Sequence, residues 1–281
     1  MSGTLFLVST PIGNLEDITL RALRVLREAD LIAAEDTRRT AKLLAHYAIS
    51  KPTLSFHAHN TRARLPQLVA RLERGDQVAL VTDAGTPGIS DPGVELVRQC
   101  AERGIAVDPI PGPSAPLAAA VASGFPTDPM TVFGFAPARA KDRKTWLERL
   151  HAVPHTFTFF DAPHRIRQTL TEAASIFGNR PIVVGRELTK VHQEFIRGTM
   201  ADVLGRLTKP VGEFTVVVGP SDQPEQPDIL SNDREIYIEF GRSTADRAVG
   251  RREAVVGLAL KHGRSPKEIY AIIERMKDSG T

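Results

Sequence analysis

The sequence predicts an α/β protein of two domains with a small helical tail, and three observations carry that prediction. Short apolar runs alternate with amphipathic stretches through the first 124 residues, the pattern of a mostly parallel sheet covered on both faces. A second alternation follows a cluster of Gly, Pro and Asp near Gly124–Asp128. Beyond it, the polar, proline-bearing stretch 222–228 separates a pair of helical patterns from the rest. The length of 281 residues suits two domains of about 100–200 residues each. The expected organisation is an N-terminal α/β domain over 1–124, a second α/β domain over 125–221, a linker over 222–233, and a helix–turn–helix-like tail over 234–281.

In order along the chain, Thr4–Ser9 is an apolar run that stops at the turn cluster Thr10-Pro11-Ile12-Gly13-Asn14. Ile18, Ala22, Val25, Leu26 and Ala29 then fall on one helical face. Leu31–Ala34 reads as a second strand, followed by a helix through Leu44 and a strand near Leu54. Arg62 to Arg74 is helical, and Gln77–Thr82 is a third clear strand. It runs into the loop densest in glycine and proline, Asp83 to Gly93. A helix, a strand near Val107–Ile110, and Pro111-Gly112-Pro113-Ser114-Ala115 close the first pattern. The second opens with a helix around Trp146 and a strand at Thr156–Phe160, then a helix that reaches Phe177. Strands Ile182–Gly185 and Phe214–Val218 bracket a hairpin that ends near Gly198. In the tail, one helix holds Val255, Leu258 and Ala259, and a second opens at Ser265-Pro266-Lys267-Glu268. That second opening combines an N-cap serine, a proline at the first position and a glutamate three residues after the cap.

Hydrophobic residues at 42% and charged residues at 25% are ordinary globular proportions and exclude a disordered or fibrous chain. The one cysteine, Cys100, cannot form an internal disulfide and fits a small buried hydrophobe in a reducing compartment. No segment approaches the roughly 18 apolar residues of a membrane span, and the apolar run Leu5–Val8 is too short for a signal peptide. The expected location is the cytoplasm. Residues 234–278 carry ten Lys and Arg against seven Asp and Glu, so the whole formal excess of +3 lies in the tail. That is compatible with contact to a polyanion and equally with a solvated helical surface.

In open α/β sheets, ligands bind beyond the carboxyl ends of the strands. Three loops there, 10–14, 83–93 and 111–115, hold the backbone close to whatever binds. None follows the G-x-G-x-x-G pattern of dinucleotide sites, and the chain lacks a G-x-x-x-x-G-K-[ST] phosphate loop. His57 and His59 have no partner at metal-ligand spacing, so no metal is expected.

Taken in order, several segments resemble the ribosomal RNA small-subunit methyltransferase I family, of the tetrapyrrole-methylase fold. They are Val8-Ser9-Thr10-Pro11-Ile12-Gly13-Asn14-Leu15, Ala34-Glu35-Asp36-Thr37-Arg38-Arg39-Thr40 and the 82–93 loop. Pro111-Gly112-Pro113-Ser114-Ala115, Ala162-Pro163-His164-Arg165 and Arg186-Glu187-Leu188-Thr189-Lys190 complete the series. The resemblance implies two α/β domains with S-adenosylmethionine bound between them. It also implies 2′-O-methylation of a cytidine ribose in the decoding region of 16S ribosomal RNA, within the small subunit, by a homodimer. It maps donor contacts onto Pro11, Ile12, Gly85, Thr86, Pro87, Ile89, Ser114 and Ala115 from the first domain. From the second it takes Phe160, Arg186, Gly212 and Glu213. The chain departs from the family's pattern at Ala58, where glutamate is expected, at Phe160-Asp161 in place of Tyr-Glu, and at Val211 in place of lysine. Ala58 cannot titrate, so no indispensable base stands there.

A ribose hydroxyl is a poor nucleophile, so a general base or a cation near the alkoxide would help the transfer. Glu35 and Asp36 are the first candidates, with Arg38 and Arg39 holding RNA phosphate; Asp36 equally suits a helix N-cap. His164 is the second candidate, with Arg165 as a phosphate contact. Glu187 is the third, with Lys190 as its RNA-binding neighbour, and a structural salt bridge is the competing reading. Two other functions remain open on the residues alone. One is a small-molecule, precorrin-type methylase of the same fold; the other is a non-catalytic, RNA-binding ribosome-assembly protein.

Overall fold

The fold was obtained as a computed structural model and describes residues 2–88, 93–208, 210–221, 233–245, 250–262 and 264–278. Its first half alternates strand and helix: β1 (Thr4–Val8), α1 (Leu20–Glu28), β2 (Leu31–Ala34), α2 (Thr37–His46) and β3 (Thr53–Ser55). Then come α3 (Thr61–Glu73), β4 (Val78–Val81), α4 (Val94–Glu102), β5 (Ala106–Ile110) and α5 (Ala115–Ser123). The five strands form one parallel sheet in the order β3-β2-β4-β1-β5. Near-continuous apolar strands are what a sheet buried on both faces requires. In β2, Ile32 and Ala34 join Leu26 and Leu43 under α1 and α2. Leu31 and Ala33 join Leu68, Leu72 and Cys100 under α3 and α4. Burial pushes the Cys100 thiol up to about 11.

Parallel register places Ala34, Val81, Val8 and Ile110 side by side. The loops after β2, β4, β1 and β5 therefore leave from one edge of the sheet.

The second sheet is built from β6 (Met130–Phe135), β7 (Thr156–Asp161), β8 (Ile182–Arg186), β9 (Glu194–Gly198) and β10 (Phe214–Val218). Between these strands lie α6 (Ala140–His151), α7 (Ile166–Phe177) and α8 (Met200–Arg206). The order is β6-β7-β10-β8-β9, with β6 and β7 parallel and the remaining neighbours antiparallel. Phe157, Phe159, Phe214 and Val216 face α6, α7 and α8. On the opposite face Val183 and Val217 pack with Ala119 of α5. Helix α5 precedes the expected boundary near residue 124, yet it covers the second sheet.

Two elements of this half were not anticipated. Strand β6 is interrupted by Gly134 and a register shift between Val132 and Phe135, which leaves no clean alternation. Helix α8 is a short helix started by a capping box between Thr199 and Asp202.

The segment Ser221–Thr281 is a separate compact unit. Among the described residues, the expected helical pair is corrected to three helices: α9 (Asp233–Ala245), α10 (Arg251–Lys261) and α11 (Pro266–Asp278). Ile236, Tyr237 and Phe240 of α9 join Val255, Leu258, Ile269, Ile272 and Ile273 in one small core. The period of α9 is diluted by charged and small residues, which hid it beside the linker. Most of that linker lies outside the described residues. Ser265 and Glu268 make the expected reciprocal cap of α11, with the Ser265 N–H donating to Glu268 Oε2 at 2.7 Å and the Glu268 N–H to Ser265 Oγ at 3.3 Å. Among the described residues, no helix is long and apolar enough to cross a membrane.

Candidate active site

The loops at the shared strand edge of the first sheet face Phe160 and Thr215 of the second, and a cleft of about 440 Å³ lies between them. That volume is within the usual range for small-molecule sites. Ile12, Ala115, Phe160 and Leu188 supply its apolar walls, while Glu35, Asp83 and Glu213 bring carboxylates to its border.

Each wall has a local cause. Thr10 and Gly85 form an isolated antiparallel bridge, with N–H to O distances of 2.9 and 3.0 Å, which ties the loop after β1 to the loop after β4. Gly85 has φ +83°, a conformation that side chains with a Cβ rarely adopt. Ser9 Oγ donates to Thr86 Oγ1 at 3.1 Å, fixing Thr86 over the same bridge.

On the side of the second sheet, Glu187 and Thr189 adopt φ of +50° and +65°, strained values for non-glycine residues. Surrounding contacts hold them there. The Asn14 N–H donates to Thr189 Oγ1 at 2.9 Å, and Leu188 packs with Ile12 and Ala119. Glu187 Oε1 accepts from Lys190 Nζ and from the Glu213 N–H, both at 2.9 Å, and Lys190 reaches Glu213 Oε2 at 3.0 Å. Burial alone would raise the Glu187 carboxyl, but Lys190 and the Glu213 N–H outweigh it and hold it below its ordinary value. Gly212, at φ +96°, makes room for this carboxylate: a Cβ there would lie 2.4 Å from Glu187 Oε1.

Of the residues singled out from the sequence, Ile12, Glu35, Arg39, Gly85, Thr86, Ser114, Ala115, Phe160 and Glu213 line the cleft. Pro11 lines a smaller neighbouring cavity. Pro87 is buried and does not line the cleft, and Ile89 lies outside the described residues. Arg186 donates to the Val211 carbonyl at 2.8 Å and pairs with Glu194.

Asp36 is the N-cap of α2, accepting the Arg38 N–H at 2.8 Å. The Arg38 guanidinium closes on the same carboxylate at 2.8 Å and holds its carboxyl well below the usual range. His164 is exposed on the turn after β7. Arg165 is paired with the fully buried Asp161 at 2.6 Å and donates to the Ala136 carbonyl. Asp36, Arg38, Arg165, Glu187 and Lys190 are thus engaged with neighbouring protein groups beside the cleft.

Sequence reasoning missed Asp83, Phe135, Asp161, Pro163, Leu188 and Thr215 as lining. Asp83 stands two residues after β4 at the head of the 83–93 loop, which was read as ligand-facing, but the resemblance mapped contacts only from Gly85 onward. Phe135 ends β6, a strand with no legible pattern. Among the described residues, no group of three potential metal ligands is assembled.

The comparisons agree with this fold. Residues 4–204 match the family described as Tetrapyrrole (Corrin/Porphyrin) Methylases. The chain is 48% identical over 218 residues to a ribosomal RNA small subunit methyltransferase I of Thermotoga maritima, covering 77% of this chain and 98% of that one. It is 46% identical over 278 residues to its Bacillus subtilis counterpart, covering 95% and 93%. The fold is similar to a crystal structure of uroporphyrin-III C-methyltransferase from Thermus thermophilus complexed with S-adenyl homocysteine. There the TM-score is 0.55 at 18% identity, over 77% of this chain and 97% of that one. A two-sheet cleft of the right size, the motif series in order, and identity above 40% across most of the chain lead to one conclusion: the chain belongs to the ribosomal RNA small subunit methyltransferase I family, within the tetrapyrrole methylases.

Proposed function

We propose that this protein methylates the 2′-hydroxyl of a cytidine ribose in the decoding region of 16S ribosomal RNA, with S-adenosylmethionine as donor. The substrate is the RNA within the small subunit, and the protein works in the cytoplasm as a homodimer. The observation that carries the reading is the cleft itself, in a chain of this family: apolar walls bordered by four carboxylates, Glu35, Asp83, Asp161 and Glu213. The donor, with a sulfonium and an ammonium against one carboxylate, is a cation, and Glu35 and Glu213 complement it.

The donor supplies an activated methyl group on sulfur with a thioether as leaving group. What remains for the protein is positioning, worth orders of magnitude in rate when reacting atoms are held in line. Ile12, Ala115 and Phe160 offer the apolar surface for a flat ring. Gly85, Thr86 and Ser114 bring backbone to the cleft with little side-chain bulk. Glu213, steadied by Lys190, borders the opposite edge, while Pro87, Arg186 and Gly212 support this lining from behind. Arg39 on the rim, with Arg38 beside it, presents positive charge toward RNA phosphate.

Isothermal titration with S-adenosylhomocysteine tests the donor site. Binding in the micromolar range that is lost when Glu213 and Phe160 are replaced by alanine supports it. No binding at millimolar ligand, with or without small subunits present, would remove the cleft as a donor site.

A further inference from the structure

A second, smaller cavity of about 140 Å³ opens beside the cleft, and Arg39 and Asp83 line both. The buried Thr10, Thr40, Thr82 and Leu43 line the smaller cavity, with Pro11 and the more exposed Leu15 beside them. Its rim carries two exposed cations three residues apart on α2, Arg39 and Lys42. Lys42 has no ion-pair partner among the described residues, whereas Arg38, one position from Arg39, is closed on Asp36. Small threonine and apolar side chains under a cationic rim fit a sugar with its flanking phosphate.

Asp83 stands in the wall between the two spaces. Its Oδ1 accepts the Asp36 N–H at 3.0 Å, and its Oδ2 lies 3.4 Å from Arg39 Nη1. Its own N–H donates to Glu35 Oε2 at 3.3 Å. The side chain is thus fixed by two neighbours, and its backbone by a third, while it is still 26% exposed. Glu35, Asp161 and Glu213 border the main cleft only. Among the described residues, Asp83 is the carboxylate that both cavities share.

We propose that the side cavity seats the acceptor ribose and its flanking phosphate, and that Asp83 takes the proton of the hydroxyl that is methylated. The proposal rests on the methyl-transfer reading above. The O–H bond breaks toward the Asp83 carboxylate, and the oxygen's electron pair forms the O–CH₃ bond. The C–S⁺ bond breaks in the same displacement, its pair passing to sulfur to leave a neutral thioether. Asp83 then loses its proton to water. Lys42 and Arg39 hold the phosphate and act on binding.

Two variants test this with purified small subunits. Asp83→Asn is expected to lower kcat about a hundredfold or more, the usual contribution of a positioned base. Its affinities for S-adenosylhomocysteine and for subunits should stay within about threefold of wild type. Lys42→Gln is expected to leave S-adenosylhomocysteine binding unchanged and to weaken RNA binding. In a plot of log affinity against log salt, its slope should fall by about 0.7, the loss of one phosphate contact on a single strand.

Wild-type kcat in Asp83→Asn, or a wild-type salt slope in Lys42→Gln, would overturn the proposal. If Asp83→Asn does not fold, by circular dichroism, Asp83→Ala takes its place in the kcat measurement with the same two outcomes. A wild-type protein that transfers no methyl group to subunits overturns the parent reading, a result distinct from the failure of either variant.

Discussion

At the scale of single residues, the charged groups divide by what they touch. Arg143 is 1% exposed and clamps Glu172 through two bonds of 2.8 and 2.7 Å, while its remaining donors reach the Pro137 and Ala138 carbonyls. The Arg143 guanidinium holds the Glu172 carboxyl below its ordinary value. A carboxyl lowered in the folded state stabilises fully above its unfolded value near 4.3 and loses that contribution as pH falls through the folded one. Glu172→Gln is therefore expected to cost about 3 kcal/mol at neutral pH by leaving a buried guanidinium unpaired. The gap to wild type should narrow below about pH 4. Urea unfolding of both proteins at pH 7 and pH 3.5 checks this, and an equal gap at both values would count against the pair. Arg180 is similarly internal, bound to the Gly219, Val153 and His155 carbonyls, with burial pushing its guanidinium down to about 10. Neither arginine is distinguishable in sequence from a surface cation, because burial is a property of the fold.

Among elements, the strand-to-loop junctions connect sequence to site. The parallel strands of the first half were legible because apolar runs bounded by turn residues leave few alternatives. Their loops were legible as ligand-facing for the same reason. Gly85 illustrates the point: an added Cβ there would meet Ile12 and Pro113 at ordinary contact distances of 3.6 and 3.8 Å, so the backbone angle rather than space demands glycine. Gly85→Val should fold yet bind S-adenosylhomocysteine at least tenfold more weakly, because the Thr10 bridge must distort. Normal affinity in a folded variant would refute the role of that loop. The start of α11 was read from four residues, and its cap has a definite cost. Ser265→Ala is expected to lower the stability of the C-terminal helices by about 1 kcal/mol, measured by amide hydrogen exchange in α11. Unchanged protection there would show that the cap contributes nothing. Strand β6 and helices α8 and α9 were not legible, since a bulged strand, a two-turn helix and a charge-diluted face carry weak periodic signals.

For the whole molecule, the α/β class, the parallel first sheet and the family followed from the sequence. The mixed order of the second sheet did not, because antiparallel pairing between β7, β10 and β8 depends on contacts far apart in the chain. About half of the cleft was named in advance, on the side where strand ends predict ligand loops. The rest comes from packing: Leu188 enters through a strained loop, and Phe135 from an unrecognised strand. The separation of a donor-sized cleft from a smaller cationic cavity is a property of the folded molecule alone. The most direct test supplies labelled S-adenosylmethionine and this protein to small subunits from cells lacking the activity, followed by nuclease digestion and mass spectrometry. The account predicts one 2′-O-methylcytidine in the decoding region. Donor binding without any label in the RNA would contradict it and point to a small-molecule acceptor instead.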